Sequence, residues 1–82
     1  MSDRLYDGRA IQVIELDDGI SEEHVIEFRD PDLSPTDSVI AVFNSGSDWS
    51  SARVAISPRA DSLSADFVLW ALGLARDMIE RE

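Results

Sequence analysis

A single helical pattern, confined to the last part of the chain, is the feature that most limits how this sequence can fold. From residue 61 onward, apolar residues recur with helical spacing, and Asp61, Ser62 and Ser64 can each cap the start of a helix. Before that point, apolar residues fall in short runs separated by proline, glycine and aspartate, which is typical of strands and turns. The sequence therefore predicts several strands followed by one C-terminal helix.

The predicted strands cover four runs: residues 10–16, 24–30, 38–43 and 52–57. Short links join them, so we expect mainly antiparallel pairing, because parallel strands need long crossovers. Residues 1–9 show no periodicity and are expected to form a loose lead-in. The expected fold is α+β, a small four-stranded, mainly antiparallel sheet with one amphipathic C-terminal helix packed on it (ββββα), in a single domain of residues 1–82.

These strands carry more apolar residues than one helix can cover. Runs 10–16 and 38–43 are apolar on both faces, whereas a half-solvated antiparallel strand alternates apolar and polar residues. Four strands span roughly 19 Å and a helix is about 10 Å across, so the helix covers about half of one face. We expect the uncovered face to be buried on another molecule. The alternative is that the sheet curls into a small barrel and buries both faces itself.

Four residues are candidates for contact with a partner. Leu69, Trp70 and Gly73 lie on the acidic side of the helical wheel, where a glycine lets another backbone or ring approach closely. Trp49 lies in a loop of small and polar residues, and loop tryptophans can be binding hot spots. The alternatives are that Trp70 folds back onto the edge of the sheet and that Trp49 packs beneath its own loop.

The chain is strongly acidic, with a net charge of −10 and no lysine. This charge opposes direct contact with nucleic-acid backbones and with anionic membranes. Carboxylates in and around the loops beside the second predicted strand could instead face a basic partner. The candidate acidic patch comprises Asp17, Asp18, Glu22, Glu23, Glu27, Asp30 and Asp32. Genome composition or adaptation to salt is the alternative explanation for the acidity.

The sequence offers little material for catalysis or metal binding. It has no cysteine and one histidine, His24, so a nitrogen–sulfur metal site and cysteine chemistry are both excluded. No serine has nucleophile-elbow spacing, the glycines form no phosphate loop, and the acids do not follow EF-hand spacing. We therefore expect no enzyme activity, no catalytic residue, no metal and no cofactor.

Two functions follow as expectations from these features. The leading one is a small acidic protein-interaction module, an oligomer or assembly subunit, which binds another protein (self or heterologous) through its surplus apolar surface. The alternative is an acidic antagonist, such as a phage-type inhibitor or an immunity-like protein, which mimics nucleic acid and occupies a basic cleft. We expect a cytoplasmic location and no membrane contact, because no apolar leader follows Met1 and the longest apolar run, residues 67–75, is short of the ~20 residues of a membrane span.

Overall fold

The computed structural model describes residues 2–18, 23–33, 37–45, 48–58 and 63–81, which form one antiparallel sheet and one helix. The strands pair in chain order: β1 (Ser2–Tyr6), β2 (Arg9–Asp18), β3 (Glu23–Arg29), β4 (Ile40–Asn44) and β5 (Arg53–Ile56). A 3₁₀ turn (Trp49–Ser51) precedes β5, and the helix α1 (Ala65–Glu80) follows it. The expectation of an α+β fold with an antiparallel sheet and one C-terminal helix is confirmed.

The prediction of four strands and a loose lead-in was wrong, because the first residues form an additional strand. β1 pairs along its whole length with the start of β2. The turn between them contains Asp7 and Gly8, both at positive φ (52° and 76°), and Asp-Gly favours this geometry in tight hairpins. β1 has no apolar alternation of its own, since Tyr6 is its one half-buried residue. A search for periodicity therefore misses the strand, although the turn signal was present in the sequence.

The core lies between α1 and one face of the sheet. Its buried apolar residues are Ile11, Val13, Ile26, Phe28, Val39, Ile40 and Val42 from the sheet side, with Phe67, Ala71, Ala75 and Ile79 from the helix. The helical members recur every four residues, which places them on one stripe facing the sheet. Ser64 caps the start of the helix, and its Oγ accepts a hydrogen bond of 3.0 Å from the Phe67 amide.

An aromatic cluster joins β1 to α1. The ring centre of Trp70 lies 5.1 Å from that of Tyr6, 5.9 Å from that of Phe67 and 6.1 Å from that of Phe28. Tyr6 also meets Phe67 edge-on at 5.3 Å. These separations are within the range in which aromatic rings attract one another. The cluster therefore adds to the backbone pairing with β2 in holding a strand as exposed as β1 against the rest of the fold.

The helix does not extend over β5. All four residues of β5 are exposed, and Val54 and Ile56, which lie on the helix side of the sheet, keep 43% and 51% of their surface. Because the strands pair in chain order, β5 and β1 form the two edges of the sheet. Within the described ranges, no helix has the length and hydrophobicity to cross a membrane.

Candidate functional site

The face of the sheet opposite α1 is the candidate interaction surface, and we call it the open face. Strand residues alternate between the two faces, so those next in sequence to the buried ones point away from the helix. No second helix or sheet within the described ranges packs on them. The apolar residues of the open face are Leu5, Ala10, Ile14, Leu16, Val25, Ala41, Phe43 and Ala55, and its described charged residues are Asp3, Glu23, Glu27, Arg29 and Arg53.

An apolar row crosses three strands at the centre of the open face. Leu16 lies opposite Val25, and Val25 lies opposite Phe43. Ile14 and Ala41 flank this row on the next rung of the sheet. Leu16 keeps 47% of its surface, whereas the other four are half-buried by their neighbours. The row is therefore an apolar strip that remains in contact with solvent.

The charged residues of the open face largely neutralise one another. Arg53 Nη2 lies 2.8 Å from Glu23 Oε2, and the Arg53 guanidinium carbon lies 5.9 Å from the centre of the Phe43 ring. Arg29 lies 3.8 Å from Glu27, which also accepts a hydrogen bond from the Ser38 hydroxyl. Most of the negative charge of the chain therefore lies outside this face.

A shallow hollow extends the open face toward the β5 edge. It has a volume of about 410 Å³, is widely open to solvent, and lies between β4, β5 and the segment before β4. Its walls include Ser38, Ala41, Ala55 and Ser57, which are small side chains. Ala41, which flanks the apolar row, links the row to this hollow, and Asp37 adds an acidic residue to the hollow's lining.

His24 lies between two carboxylates at the end of the β2–β3 hairpin. Its Nδ1 is 2.7 Å from Asp17 Oδ1, and its Nε2 is 3.3 Å from Glu15 Oε2. The Asp17 side chain is 86% exposed, so this member of the candidate acidic patch is accessible. The side chain of Asp18 and all of Glu22 lie outside the described residues.

The described part of the chain contains no group of three or more potential ligands arranged to hold a metal ion.

Asp30, another member of the candidate acidic patch, is buried and keeps 1% of its surface. Its Oδ2 lies 2.5 Å from Arg9 Nη1, and its Oδ1 accepts a hydrogen bond of 3.0 Å from the Asp32 amide. This carboxylate fastens the loop after β3 to the start of β2 and is not available to a partner. Asp32 is exposed, while Glu23 and Glu27 are paired with arginines on the open face. Among the described candidate acids, Asp17 and Asp32 are therefore the exposed ones, and the acidic patch as a whole stays a prediction.

The two tryptophans are half-buried. The Trp70 ring belongs to the aromatic cluster, which corresponds to the alternative in which it folds back onto the sheet. Trp49 begins the 3₁₀ turn and packs against the core.

Asp48 caps the 3₁₀ turn, accepting hydrogen bonds from the Ser50 hydroxyl (2.8 Å) and the Ser50 amide (3.1 Å). The hydroxyl bond, followed by the amide bond, lowers the pKa of the Asp48 carboxyl below its usual value.

Leu69 and Gly73 lie on the outer side of α1. Leu69 keeps 69% of its surface, and a Cβ added at Gly73 would meet no neighbouring atom within 4 Å. The surface at Gly73 is thus open in this structure. Partner contact through this side of the helix stays a prediction.

Gly73→Ala should raise the free energy of unfolding by about 0.5–1 kcal/mol, because alanine costs less conformational entropy in a helix and its methyl group has free space here. Urea unfolding followed by circular dichroism would measure the change. A loss of stability would contradict the prediction, because it would mean that the added methyl group meets an obstruction.

Comparison with known proteins identifies no relative. No protein-family model matches the chain, and neither the curated proteins nor the solved structures contain a match.

Proposed function

We propose that this protein is a small interaction module that binds another protein through the open face of its sheet. The observation that supports this proposal is the solvent-accessible apolar row of Leu16, Val25 and Phe43. Monomeric proteins rarely leave large contiguous apolar surfaces in water. Burial of such a surface contributes roughly 25 cal/mol per Å² of apolar area, which supplies a driving force for association.

The charge distribution favours a partner whose contact surface is apolar at its centre and basic at its margin. The centre of the open face is apolar, and the arginines beside it are neutralised by Glu23 and Glu27. The rest of the chain carries the excess of carboxylates, including the exposed Asp17 at one end of the sheet. Such an excess steers a basic protein toward the module and discourages acidic ones.

A matched pair of variants tests this proposal. Leu16→Asp places a charge in the apolar row, whereas Leu69→Asp makes the same change on the outer side of α1. Proteins captured from the native lysate by the wild-type chain should be lost, or bound at least about tenfold more weakly, with Leu16→Asp. The same proteins should remain bound by Leu69→Asp.

Circular dichroism of both variants must first show that they are folded. If Leu16→Asp captures the same proteins as wild type with unchanged affinity, the open face is not the binding surface. If binding is lost only with Leu69→Asp, the outer side of α1 is the docking surface instead.

The acidic-antagonist function is a second candidate, supported by the exposure of Asp17 and by the net charge of −10. The burial of Asp30 and the pairing of Glu23 and Glu27 with arginines weaken it. Salt separates the two functions, because an interface built on carboxylates weakens steeply between low and high ionic strength. If a captured partner is released at high salt and is still bound by the Leu16→Asp variant, this result favours the acidic-antagonist function.

A further inference from the structure

The edge of the sheet at β5 has backbone groups that point away from the fold. The Ser57 amide donates a hydrogen bond of 3.0 Å to the Val39 carbonyl, on the β4 side. Successive residues of a strand direct their backbone groups to opposite sides, so Ala55 also faces β4. Val54 and Ile56 therefore direct their N–H and C=O groups outward, where a further strand could pair with them.

β5 lacks the charges that protect the other edge. β1 presents Asp3 and Arg4, and charged residues on an edge discourage pairing with another chain. β5 carries no carboxylate, and its one charged residue, Arg53, is paired with Glu23. On a chain with a net charge of −10, a second copy can approach this edge without meeting a carboxylate of the strand itself.

We propose that two copies of the chain pair through β5 in antiparallel orientation, forming one continuous sheet of ten strands, five from each copy. One register uses every outward backbone group. With Ala55 opposite Ala55 of the second copy, Val54 lies opposite Ile56 of that copy, and Ile56 opposite its Val54. Each of these two pairs exchanges two hydrogen bonds, about four in all.

The same register also matches the side chains. It sets the exposed Val54 and Ile56 beside their counterparts on the helix side of the joined sheet, and apolar cross-strand pairs of this kind stabilise sheets. It places Arg53 opposite Ser57 of the second copy, so the two Arg53 residues do not face each other. A shift toward the C-terminus brings Pro58 into the ladder, where it has no N–H to donate.

The β5 pairing uses Val54, Ala55 and Ile56, whereas the proposed function uses Leu16, Val25 and Phe43. The pairing extends the proposed function. Five strands about 24 Å wide and roughly 18 Å long give an open face of about 430 Å² in projection. The two-fold axis runs perpendicular to the sheet, so both open faces lie on the same side and together provide about 860 Å² in projection, twice the area that one copy offers to a partner.

Ala55→Cys tests the register, because the chain has no cysteine of its own. Across the proposed interface, the two copies of residue 55 form a pair without direct hydrogen bonds, with Cα atoms about 4.5 Å apart, which a disulfide can span. Under mild oxidation at micromolar concentration, Ala55→Cys should form a linked dimer at least about tenfold faster than Leu5→Cys, its matched control on the other edge. Equal rates for the two variants would overturn the proposal.

Val54→Pro tests the same pairing in solution. It removes an outward N–H, and proline is tolerated on an edge strand at such a position. Sedimentation should show that the wild-type chain is a dimer. Val54→Pro should raise the dissociation constant of this dimer at least about tenfold. Val54→Thr keeps the N–H and the branched shape, so it should leave the dimer unchanged. A wild-type chain that stays monomeric up to about 1 mM would overturn the pairing.

Leu16→Asp separates this inference from the proposed function. It should leave the β5-paired dimer intact while it abolishes capture of the heterologous partner. If Leu16→Asp dissociates the dimer and Val54→Pro does not, the open face joins the two copies and the β5 pairing is wrong. If the wild-type chain is monomeric and Leu16→Asp still abolishes capture, the β5 pairing fails while the proposed function stands.

Discussion

Arg9→Ala is expected to lower the free energy of unfolding by about 3–4 kcal/mol, because it leaves the buried Asp30 carboxylate without its counter-ion. It also removes the guanidinium from above the Tyr6 ring, which lies 5.8 Å away. A chain of 82 residues has a total stability of about 4–12 kcal/mol, so this loss is a large share of the total. Urea unfolding followed by circular dichroism measures it.

Arg53→Ala is the matched control, since Arg53 pairs with Glu23 on the surface and keeps 70% of its side chain exposed. An exposed pair of this kind contributes less than about 1 kcal/mol. The double variant Arg9→Ala with Asp30→Ala should recover part of the stability lost in Arg9→Ala, because no unpaired charge then remains buried. If Arg9→Ala were as mild as Arg53→Ala, the ion pair would not hold the loop after β3 to β2.

Trp70→Ala is expected to lower the free energy of unfolding by about 3 kcal/mol, because it empties the centre of the aromatic cluster that joins β1 to α1. Tyr6 and Phe67 each lose a ring partner, and such contacts add to the burial of apolar area. Circular dichroism in urea is the suitable probe, since the fluorescence of Trp70 itself is lost.

Leu69→Ala, the change at the neighbouring residue, should alter the stability by no more than about 0.5 kcal/mol, since Leu69 is exposed. The contrast also tests the partner contact predicted for Trp70. A Trp70→Ala variant as stable as wild type would contradict the structural importance of the cluster and would leave the ring free to serve a partner.

The helix was the part of the fold that the sequence predicted best, because its apolar stripe and its Ser64 cap are local features. β1 escaped prediction because its one half-buried residue, Tyr6, packs against residues of α1, far away in the chain. The contact of Trp70 with Tyr6 could not be predicted for the same reason, since a helical wheel does not include a strand that had not been predicted. Asp30 likewise looked like a loop carboxylate, and its partner Arg9 fell in the supposed lead-in.

The open face was predictable in outline and not in detail. Apolar residues on both faces of the predicted strands 10–16 and 38–43, which are β2 and β4 of the structure, indicated that the sheet has more apolar surface than one helix covers. The sequence did not indicate that Arg53 sits beside Phe43 and Glu23, because this contact depends on the register between three strands. It also did not identify the edges of the sheet, and the exposure of Val54 and Ile56 follows from the position of β5 at one of them.

The contact between Tyr6 and Trp70, 5.1 Å between ring centres, has a consequence for biosynthesis. A ribosome releases all five strands before α1. Ile11, Phe28 and their buried neighbours therefore remain exposed to solvent until the helix emerges. We therefore expect stable folding to follow release of the helix from the exit tunnel. A nascent chain stalled before α1 leaves these apolar strand residues uncovered, and exposed apolar segments are what chaperones bind and proteases degrade.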